Sequence, residues 1–296
     1  MTLRIIVLCA LCVFGSVAKA GPYAPAAGRT GSTAIAKNSK LIKGWATGYR
    51  NYAPGTNVDA TWRDPSKALG AAQGNSLDIV ALGDAGRITL TFNGSIFNGQ
   101  GWDFAVFENS FNDTFLEFAF VEVSSNGSRF FRFPSFSFTP RAVSAFGAID
   151  PTNIDGLAGK YRQGFGTPFD LDLFRGVRGL DVNRITHVRL VDVVGNGSER
   201  DSWPSSREGP HKIYDPYRTT GSGGFDLDAL GVRYLRSDGP TSNAGLRLNA
   251  VARSDLGIVP EPVPVPASAC LLLVPLAVLA RRSRRVSFAR ASHCLV

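Results

Sequence analysis

The sequence predicts an all-β protein built as a single antiparallel β-sandwich. Short runs of alternating apolar and polar residues recur between residues 79 and 234 and are separated by Gly, Asn and Pro, as in strands joined by tight turns. No segment between residues 21 and 258 keeps a sustained helical period, apart from a short turn predicted at residues 65–72. Many short strands with this punctuation favour two packed antiparallel sheets.

The first predicted element is an N-terminal signal helix within residues 1–20. Arg4 supplies a positive charge, residues 5–17 are apolar, and Ala18-Lys19-Ala20 has the Ala-x-Ala pattern of a cleavage site. The pattern predicts a secretory signal peptide that signal peptidase removes, with recognition at Ala18 and Ala20. Residues 21–47 then predict a flexible lead-in and a first strand.

The sandwich domain is predicted to span residues 48–236. Period-two alternation and turn residues place a β-hairpin at residues 79–92 and further strands at residues 103–108, 115–124, 129–133, 185–194 and 224–234. Residues 136–181 are rich in Gly and Pro and contain interleaved aromatics, so they predict a long irregular connection. Such a connection is either functional or closes one end of the sandwich.

A C-terminal hydrophobic helix follows a terminal strand and spacer at residues 237–258. Pro260, Glu261 and Pro262 precede an apolar stretch, residues 263–280, which ends at a basic cluster of Arg281, Arg282, Arg284 and Arg285. Eighteen helical residues span roughly 27 Å, just short of a hydrocarbon core of about 30 Å. The pattern predicts transient insertion in the inner membrane with the basic end in the cytoplasm. A buried helix of the folded domain and a permanent anchor are the alternatives.

This tail resembles the PEP-CTERM sorting signal of Gram-negative bacteria that make extracellular polysaccharide. The resemblance covers residues 259–285 and implies recognition by an exosortase-type enzyme, cleavage near Pro-Glu-Pro, and a final extracellular or cell-surface location. Residues 286–296 extend the chain beyond the point where such signals usually end.

The charge and cysteine content belong to the targeting segments. Seven of the 32 Lys and Arg residues and one of the 24 Asp and Glu residues lie outside residues 21–258, which therefore hold 25 basic and 23 acidic residues. A net charge of +2 gives no support for nucleic-acid binding. Cys9, Cys12, Cys270 and Cys294 also lie outside this segment, so the domain is expected to have neither disulfides nor thiol chemistry.

A second resemblance covers roughly residues 48–234. The motifs that carry it are DPSKALGAAQG from Asp64, GWDFAVFENSF from Gly101, FVEVSSNG from Phe120, AGKYRQGFGTPFDL from Ala158, VRLVDVVG from Val188 and GSGGFDLDALGV from Gly221. As a set they resemble a family of exported bacterial cell-surface proteins. The closing strand is similar to that of a galactose-binding or discoidin-type domain, which implies a jelly roll.

Acidic residues beside apolar strand residues are the main candidates for a metal site. Isolated buried carboxylates are costly unless a cation, an arginine or backbone amides compensate them. Calcium binds six to eight oxygens from carboxylates, amides and carbonyls. The sequence therefore predicts a calcium site at strand ends, with ligands drawn from Asp103, Glu108, Asn109, Asp226 and Asp228.

Two alternatives account for the same acids. Because strand residues alternate, Asp226 and Asp228 would share one face, which could be a solvated face without any metal. Alternatively, Glu108 paired with Glu122 or Asp226 could hydrolyse a glycosidic bond if the carboxylates flanked a cleft. His187 and His211 are not accompanied by a Gly-x-Ser-x-Gly motif, so a serine triad is not predicted.

Aromatic and basic residues near loops indicate a surface for carbohydrate or matrix. The predicted ligand-binding residues are Trp203, Tyr214, Tyr217, Tyr161 and Arg162, with residues 196–220 as the main recognition loop. At least half of the aromatic residues near loops are expected to serve in packing. The sequence therefore predicts an exported, non-enzymatic β-sandwich that binds extracellular polysaccharide or biofilm matrix, with a secreted glycoside hydrolase as the alternative.

Overall fold

The computed structural model describes residues 20–204 and 209–237 as a protein of mostly antiparallel β-strands. The all-β prediction is therefore confirmed. The predicted signal peptide except Ala20, the predicted spacer except its first residue, the sorting signal and the tail extension at residues 286–296 lie outside the described residues. Within the described residues, no helix is long and apolar enough to cross a membrane.

Sixteen strands and four short 3₁₀ helices make up the described chain. The strands are β1 (Ile35–Ala36), β2 (Gly44–Trp45), β3 (Gly48–Ala53), β4 (Val80–Ala81), β5 (Arg87–Ile96), β6 (Phe104–Glu108), β7 (Ala119–Ser124), β8 (Phe131–Arg132), β9 (Phe136–Ser137), β10 (Ile154–Asp155), β11 (Phe165–Phe169), β12 (Ile185–Asp192), β13 (Asn196–Arg200), β14 (Lys212–Tyr214), β15 (Asp226–Val232) and β16 (Leu235–Arg236). The 3₁₀ helices are η1 (Ala60–Trp62), η2 (Pro65–Ala68), η3 (Pro151–Asn153) and η4 (Leu171–Phe174).

Two six-stranded antiparallel sheets dominate the fold. The first sheet has the order β1-β11-β6-β15. The edge of β15 opposite β6 pairs with two short strands, β2 and β4. The second sheet has the order β5-β12-β7-β8, and the outer edge of β5 pairs with β3 and β16. Two ribbons, β9-β10 and β13-β14, complete the strand pairing of the described residues.

The two sheets contribute alternate residues to one hydrophobic core, as in a β-sandwich. The first sheet contributes Phe104, Val106, Leu227 and Leu230, and the second contributes Ile88, Leu90, Val121, Val123, Val188 and Leu190. All of these side chains are buried. The alternate positions of the second sheet point away from the core, because successive strand residues face opposite sides.

The hairpin predicted at residues 79–92 is not formed, because its two halves belong to different sheets. β4 pairs with β15 in the first sheet, whereas β5 pairs with β12 in the second. Gly83 at φ +71° and Ala85 at φ +61° make the corner between them. Apolar alternation located both strands, but it carries no information about which strand each one pairs with.

The stretch at residues 136–181 is more regular than predicted. It contains β9, β10, β11, η3 and η4, and β11 inserts between β1 and β6 in the first sheet. Gly166 and Pro168 interrupt the pattern of β11 (Phe165-Gly-Thr-Pro-Phe169), which explains why its strand signal is weak in the sequence. The other predicted strands are present with shorter bounds.

Candidate functional site

Three buried carboxylates lie together at one end of the sandwich. Glu108 ends β6, and Asp226 begins the neighbouring strand β15, where Leu227 pairs with Glu108. Glu108 and Asp226 are only 1% and 3% exposed. Glu117, which precedes β7, is also buried, and its carboxylate accepts a hydrogen bond of 2.7 Å from Thr219 Oγ1. We call Glu108, Glu117 and Asp226 the carboxylate cluster.

Two oxygen atoms of the carboxylate cluster have no hydrogen-bond partner among the described residues. They are Glu108 Oε1 and Asp226 Oδ1. The other oxygen of Glu108, Oε2, accepts a 2.8 Å hydrogen bond from the Ser110 amide. Within the described chain, no Lys or Arg forms a salt bridge with any of the three acids. The cluster is therefore short of both donors and positive charge.

Burial and mutual repulsion raise the pKa values in the carboxylate cluster. Burial, followed by the charge of Glu117, raises the pKa of Glu108 well above its usual range. Burial, followed by the charge of Asp226, does the same to the pKa of Glu117. Burial raises the pKa of Asp226 to about 7, although hydrogen bonds from Ser222 and Asn109 side chains oppose the shift.

Asp103 and Asp228 do not join the carboxylate cluster. Asp103 precedes the opposite end of β6, roughly 17 Å from Glu108 along an extended strand, and its carboxylate accepts hydrogen bonds from the Gly99 and Leu171 amides at 2.8 and 2.6 Å. Asp228 accepts hydrogen bonds from the Gln73 and Gly74 amides at 2.9 and 2.8 Å. Both carboxylates therefore fasten loops to strands.

The solvated face predicted for Asp226 and Asp228 is wrong, because both residues are buried. A register shift in the pairing of β15 with β6 falls between Leu227 and Ala229 and interrupts strict alternation. Two more buried acids also connect separate segments through backbone amides. Asp192 accepts hydrogen bonds from the Ala85 and Phe225 amides, and Asp215 accepts one from the Phe118 amide.

Residues 20–204 and 209–237 contain no group of three or more Asp, Glu, His or Cys side chains arranged so that they could hold a metal ion. Glu108 and Asp226, with the Asn109 side chain beside them, are the predicted ligands that the fold brings together. Sequence analysis missed Glu117, although its position within the apolar run Phe115-Leu-Glu-Phe-Ala-Phe120 indicates a buried acid.

The carboxylate pairs considered for glycoside hydrolysis do not flank a cleft. Glu122 lies on the second sheet, on the face turned away from the core, and binds Arg132 and Arg189. Glu108 lies on the first sheet and is buried. The pair Glu108 and Asp226 is close, but both side chains are enclosed.

A second candidate site is a groove beside an aromatic cluster. The Trp203 ring lies 5.2 Å from the Phe138 ring and 5.4 Å from the His211 ring, centroid to centroid. The adjoining groove has a volume of about 330 Å³, and its lining includes Ser137, Phe138, Thr139, Arg200, His211, Lys212 and Tyr214. We call this the aromatic groove.

Asp201 fixes the geometry of the aromatic groove. Its Oδ1 atom accepts hydrogen bonds from the Trp203 and His211 amides at 3.1 and 2.7 Å. Its Oδ2 atom lies 2.9 Å from His211 Nδ1 and accepts from the Ser137 amide at 3.0 Å. One buried carboxylate thus ties the loop before residues 205–208 to β9 and to the start of β14.

Polar atoms beside the aromatic groove have unused hydrogen-bonding capacity. Ser137 Oγ, Thr139 Oγ1 and Trp203 Nε1 have no partner among the described residues, and Ser137 and Thr139 line the groove. Because unpaired buried polar groups are costly, hydroxyl groups or water at this position would stabilise the site.

The other predicted ligand-binding residues are not at the aromatic groove lining. Tyr161 is only 1% exposed, and its hydroxyl lies 2.8 Å from Thr33 Oγ1, so its ring packs in the interior. Arg162 lies 3.3 Å from Asp113 and above the Phe165 ring. The Tyr217 amide donates to the Val143 carbonyl. Of the predicted set, the structure brings Trp203 and Tyr214 to the groove region.

Two sequence comparisons with known proteins found no relative of this chain. No protein-family model matches the chain, and no curated protein is significantly similar to it. The functional interpretation therefore depends on the residues of the two candidate sites.

Proposed function

We propose that this protein is an exported, non-catalytic jelly-roll sandwich that binds extracellular polysaccharide at the cell surface or in the biofilm matrix. The N-terminal signal directs export, and the PEP-CTERM-like tail delivers the chain to an exosortase-type enzyme. The observation that supports polysaccharide binding is the aromatic groove, where a ring cluster adjoins the Ser137 and Thr139 hydroxyl groups, which have no partner in the described part of the chain.

The chemistry of the aromatic groove suits sugars. The apolar faces of sugar rings pack on aromatic side chains, while their hydroxyl groups need donors and acceptors at fixed positions. Arg200, Lys212 and Tyr214 add donors around the opening, and a volume of about 330 Å³ is within the range of small-ligand sites. Because Asp201 holds both His211 and the Trp203 backbone, little ordering is needed when a ligand binds.

A glycan array with the full-length protein tests this function. We expect Trp203→Ala to weaken binding of the best glycan at least tenfold, because truncating an aromatic anchor typically costs more than about 1–2 kcal/mol. Tyr49→Ala is the matched control, since Tyr49 is an exposed aromatic residue on β3 and should leave affinity unchanged. Binding that Trp203→Ala leaves intact, or an array without any bound glycan, would contradict the proposal.

We also propose that Glu108 and Asp226 of the carboxylate cluster, with neutral oxygens beside them, bind one calcium ion that stabilises the loops around it. Support comes from Glu108 Oε1 and Asp226 Oδ1, two buried anionic oxygens without partners in the described chain. The side chains of Asn109, Ser222 and Thr219 add neutral oxygens beside the acids. A hard cation would compensate the charge and accept these oxygens as ligands.

Thermal unfolding with calcium or chelator tests the ion site. Calcium at 100 times its dissociation constant should stabilise the fold by about 2.7 kcal/mol, or roughly 5–10 °C in a protein of this size. Asp226→Asn should abolish the calcium response. Asp228→Asn should retain it, because the Asp228 carboxylate is already bound by two backbone amides. Equal midpoints with calcium and chelator would contradict a calcium site.

A further inference from the structure

A row of arginines crosses the outer face of the second sheet. In the strand pairing, Arg50 of β3 is opposite Thr89, Thr89 is opposite Arg189, Arg189 is opposite Glu122, and Glu122 is opposite Arg132. Arg87 lies two residues before Thr89 and therefore projects from the same face. Five neighbouring strands thus place four arginines and one glutamate on this face.

Part of this face is a groove with a volume of about 410 Å³. Its lining is Asn51, Arg87, Thr89, Glu122, Arg132, Arg189 and Val191. We call it the arginine groove. It contains three arginines and one glutamate, which gives it a local charge of +2. Its volume is in the range of small-ligand sites.

Glu122 holds two guanidinium groups in fixed positions within the arginine groove. Arg132 donates through Nε and Nη2 to Glu122 Oε1 at 2.9 and 2.8 Å. Arg189 donates through Nε and Nη2 to Oε2, both at 2.5 Å. Each guanidinium also lies over a phenylalanine ring: Arg132 Cζ is 4.1 Å from the Phe120 centroid, and Arg189 Cζ is 3.9 Å from the Phe130 centroid.

This arrangement leaves donors available for a ligand. A guanidinium has five N–H donors, and the contacts to Glu122 use two from each arginine. The Arg87 side chain is exposed and forms no hydrogen bond or ion pair within residues 20–204 and 209–237. The Arg132 and Arg189 side chains are already ordered by the Glu122 carboxylate and the phenylalanine rings, so an oxyanion would meet preorganised donors from these two residues at a small entropic cost.

We propose that the arginine groove binds the carboxylate group of a uronic-acid residue in an acidic polysaccharide. The +2 charge and the planar donors of the arginines complement a sugar carboxylate. The inference rests on the proposed function, because it specifies the charge of the polysaccharide.

Chain connectivity supports a polymer over a small free anion. Arg132 of β8 and Phe136 of β9 are four residues apart, so at most about 14 Å of extended chain separates them. Phe136 packs against Trp203 beside the aromatic groove, with ring centroids 6.2 Å apart. A polysaccharide several residues long could therefore contact both grooves.

Calorimetric titration of the full-length protein with oligogalacturonate, a neutral oligoglucan and inorganic sulfate tests the inference. We expect oligogalacturonate to bind most tightly and to lose affinity with added salt. Arg87→Ala should weaken oligogalacturonate binding about tenfold, because a hydrogen bond to a charged group typically contributes at least about 1.5 kcal/mol. Arg178→Ala is the control, since Arg178 is exposed and outside the groove.

The outcomes separate the inference from the function on which it rests. Equal affinity for the neutral and acidic oligosaccharides, or an Arg87→Ala variant with wild-type affinity, would overturn the arginine groove while leaving polysaccharide binding in place. Sulfate binding as tight as oligogalacturonate would overturn the polymer as its partner. Loss of binding only in Trp203→Ala would support the aromatic groove alone.

Discussion

Asp103 and Asp226 show how the same residue type serves two purposes in this protein. Asp103 is bound by two backbone amides and fixes a loop, whereas Asp226 keeps one buried oxygen without a partner among the described residues. The sequence predicts that acids within apolar strands will be buried. It does not reveal which acids receive backbone amides, because some of those donors, such as the Leu171 amide bound by Asp103, come from loops distant in the chain.

The raised pKa values of the carboxylate cluster predict a pH dependence in chelator. Because these acids bind protons more tightly when folded, the folded state holds more protons than the unfolded state between about pH 4 and 7. The free energy of unfolding should therefore fall as pH rises from 5 to 8. Asp226→Asn should remove part of that fall, on the order of 2 kcal/mol, since burial raises the pKa of Asp226 to about 7.

Urea unfolding at both pH values measures this effect. In chelator, the free energy of unfolding should fall less steeply with pH in Asp226→Asn than in the wild-type protein. Saturating calcium should make the fall less steep in the wild-type protein. Identical pH dependence in the two proteins would show that Asp226 is ionised in the folded state at neutral pH.

At the scale of elements, the position of most strands can be predicted and their partners cannot. β6, β12 and β15 lie within predicted segments, because each is an apolar or alternating run with a glycine near one end. β4 and the first part of β5 lie within one predicted hairpin but separate into two sheets. The arginine groove could not be predicted from the sequence either. Its lining comes from β3, β5, β7, β8 and β12, and only the strand register brings these residues together.

The corner between β4 and β5 predicts a large effect of adding one methyl group. Gly83 has φ +71°, and a Cβ atom there would lie 2.4 Å from the Val58 side chain and 2.6 Å from the Thr56 carbonyl oxygen. We expect Gly83→Ala to destabilise the fold by about 3 kcal/mol or more, through backbone strain and steric overlap.

Gly70→Ala separates these two causes. Gly70 has φ +83°, but a Cβ atom would meet nothing within 4 Å. Its substitution should cost only the backbone strain, about 1–2 kcal/mol. Urea unfolding of both variants makes the comparison, and equal losses would show that the corner accommodates a side chain.

At the scale of the whole molecule, the proposed signal peptide and sorting signal predict that the mature protein lacks both ends of the chain. Mass spectrometry of the protein secreted by its native host should find a new N-terminus at Gly21 and a C-terminus upstream of Arg281. Replacing Pro260, Glu261 and Pro262 with alanine should leave the tail attached and retain the protein in the membrane fraction. Secreted protein that still carries Arg281 would refute processing by an exosortase-type enzyme.

The central position of β15 has a consequence for the order of folding. β15 pairs with β6 on one edge and with β2 and β4 on the other. Trp45, near the start of the chain, therefore cannot form its strand pairing until Gly231 is available. The first sheet is completed only when nearly all of the described chain has been delivered. Pairings between residues this distant in sequence form slowly, so in a chain crossing a membrane from its N-terminus the first sheet would stay incomplete until β15 emerged.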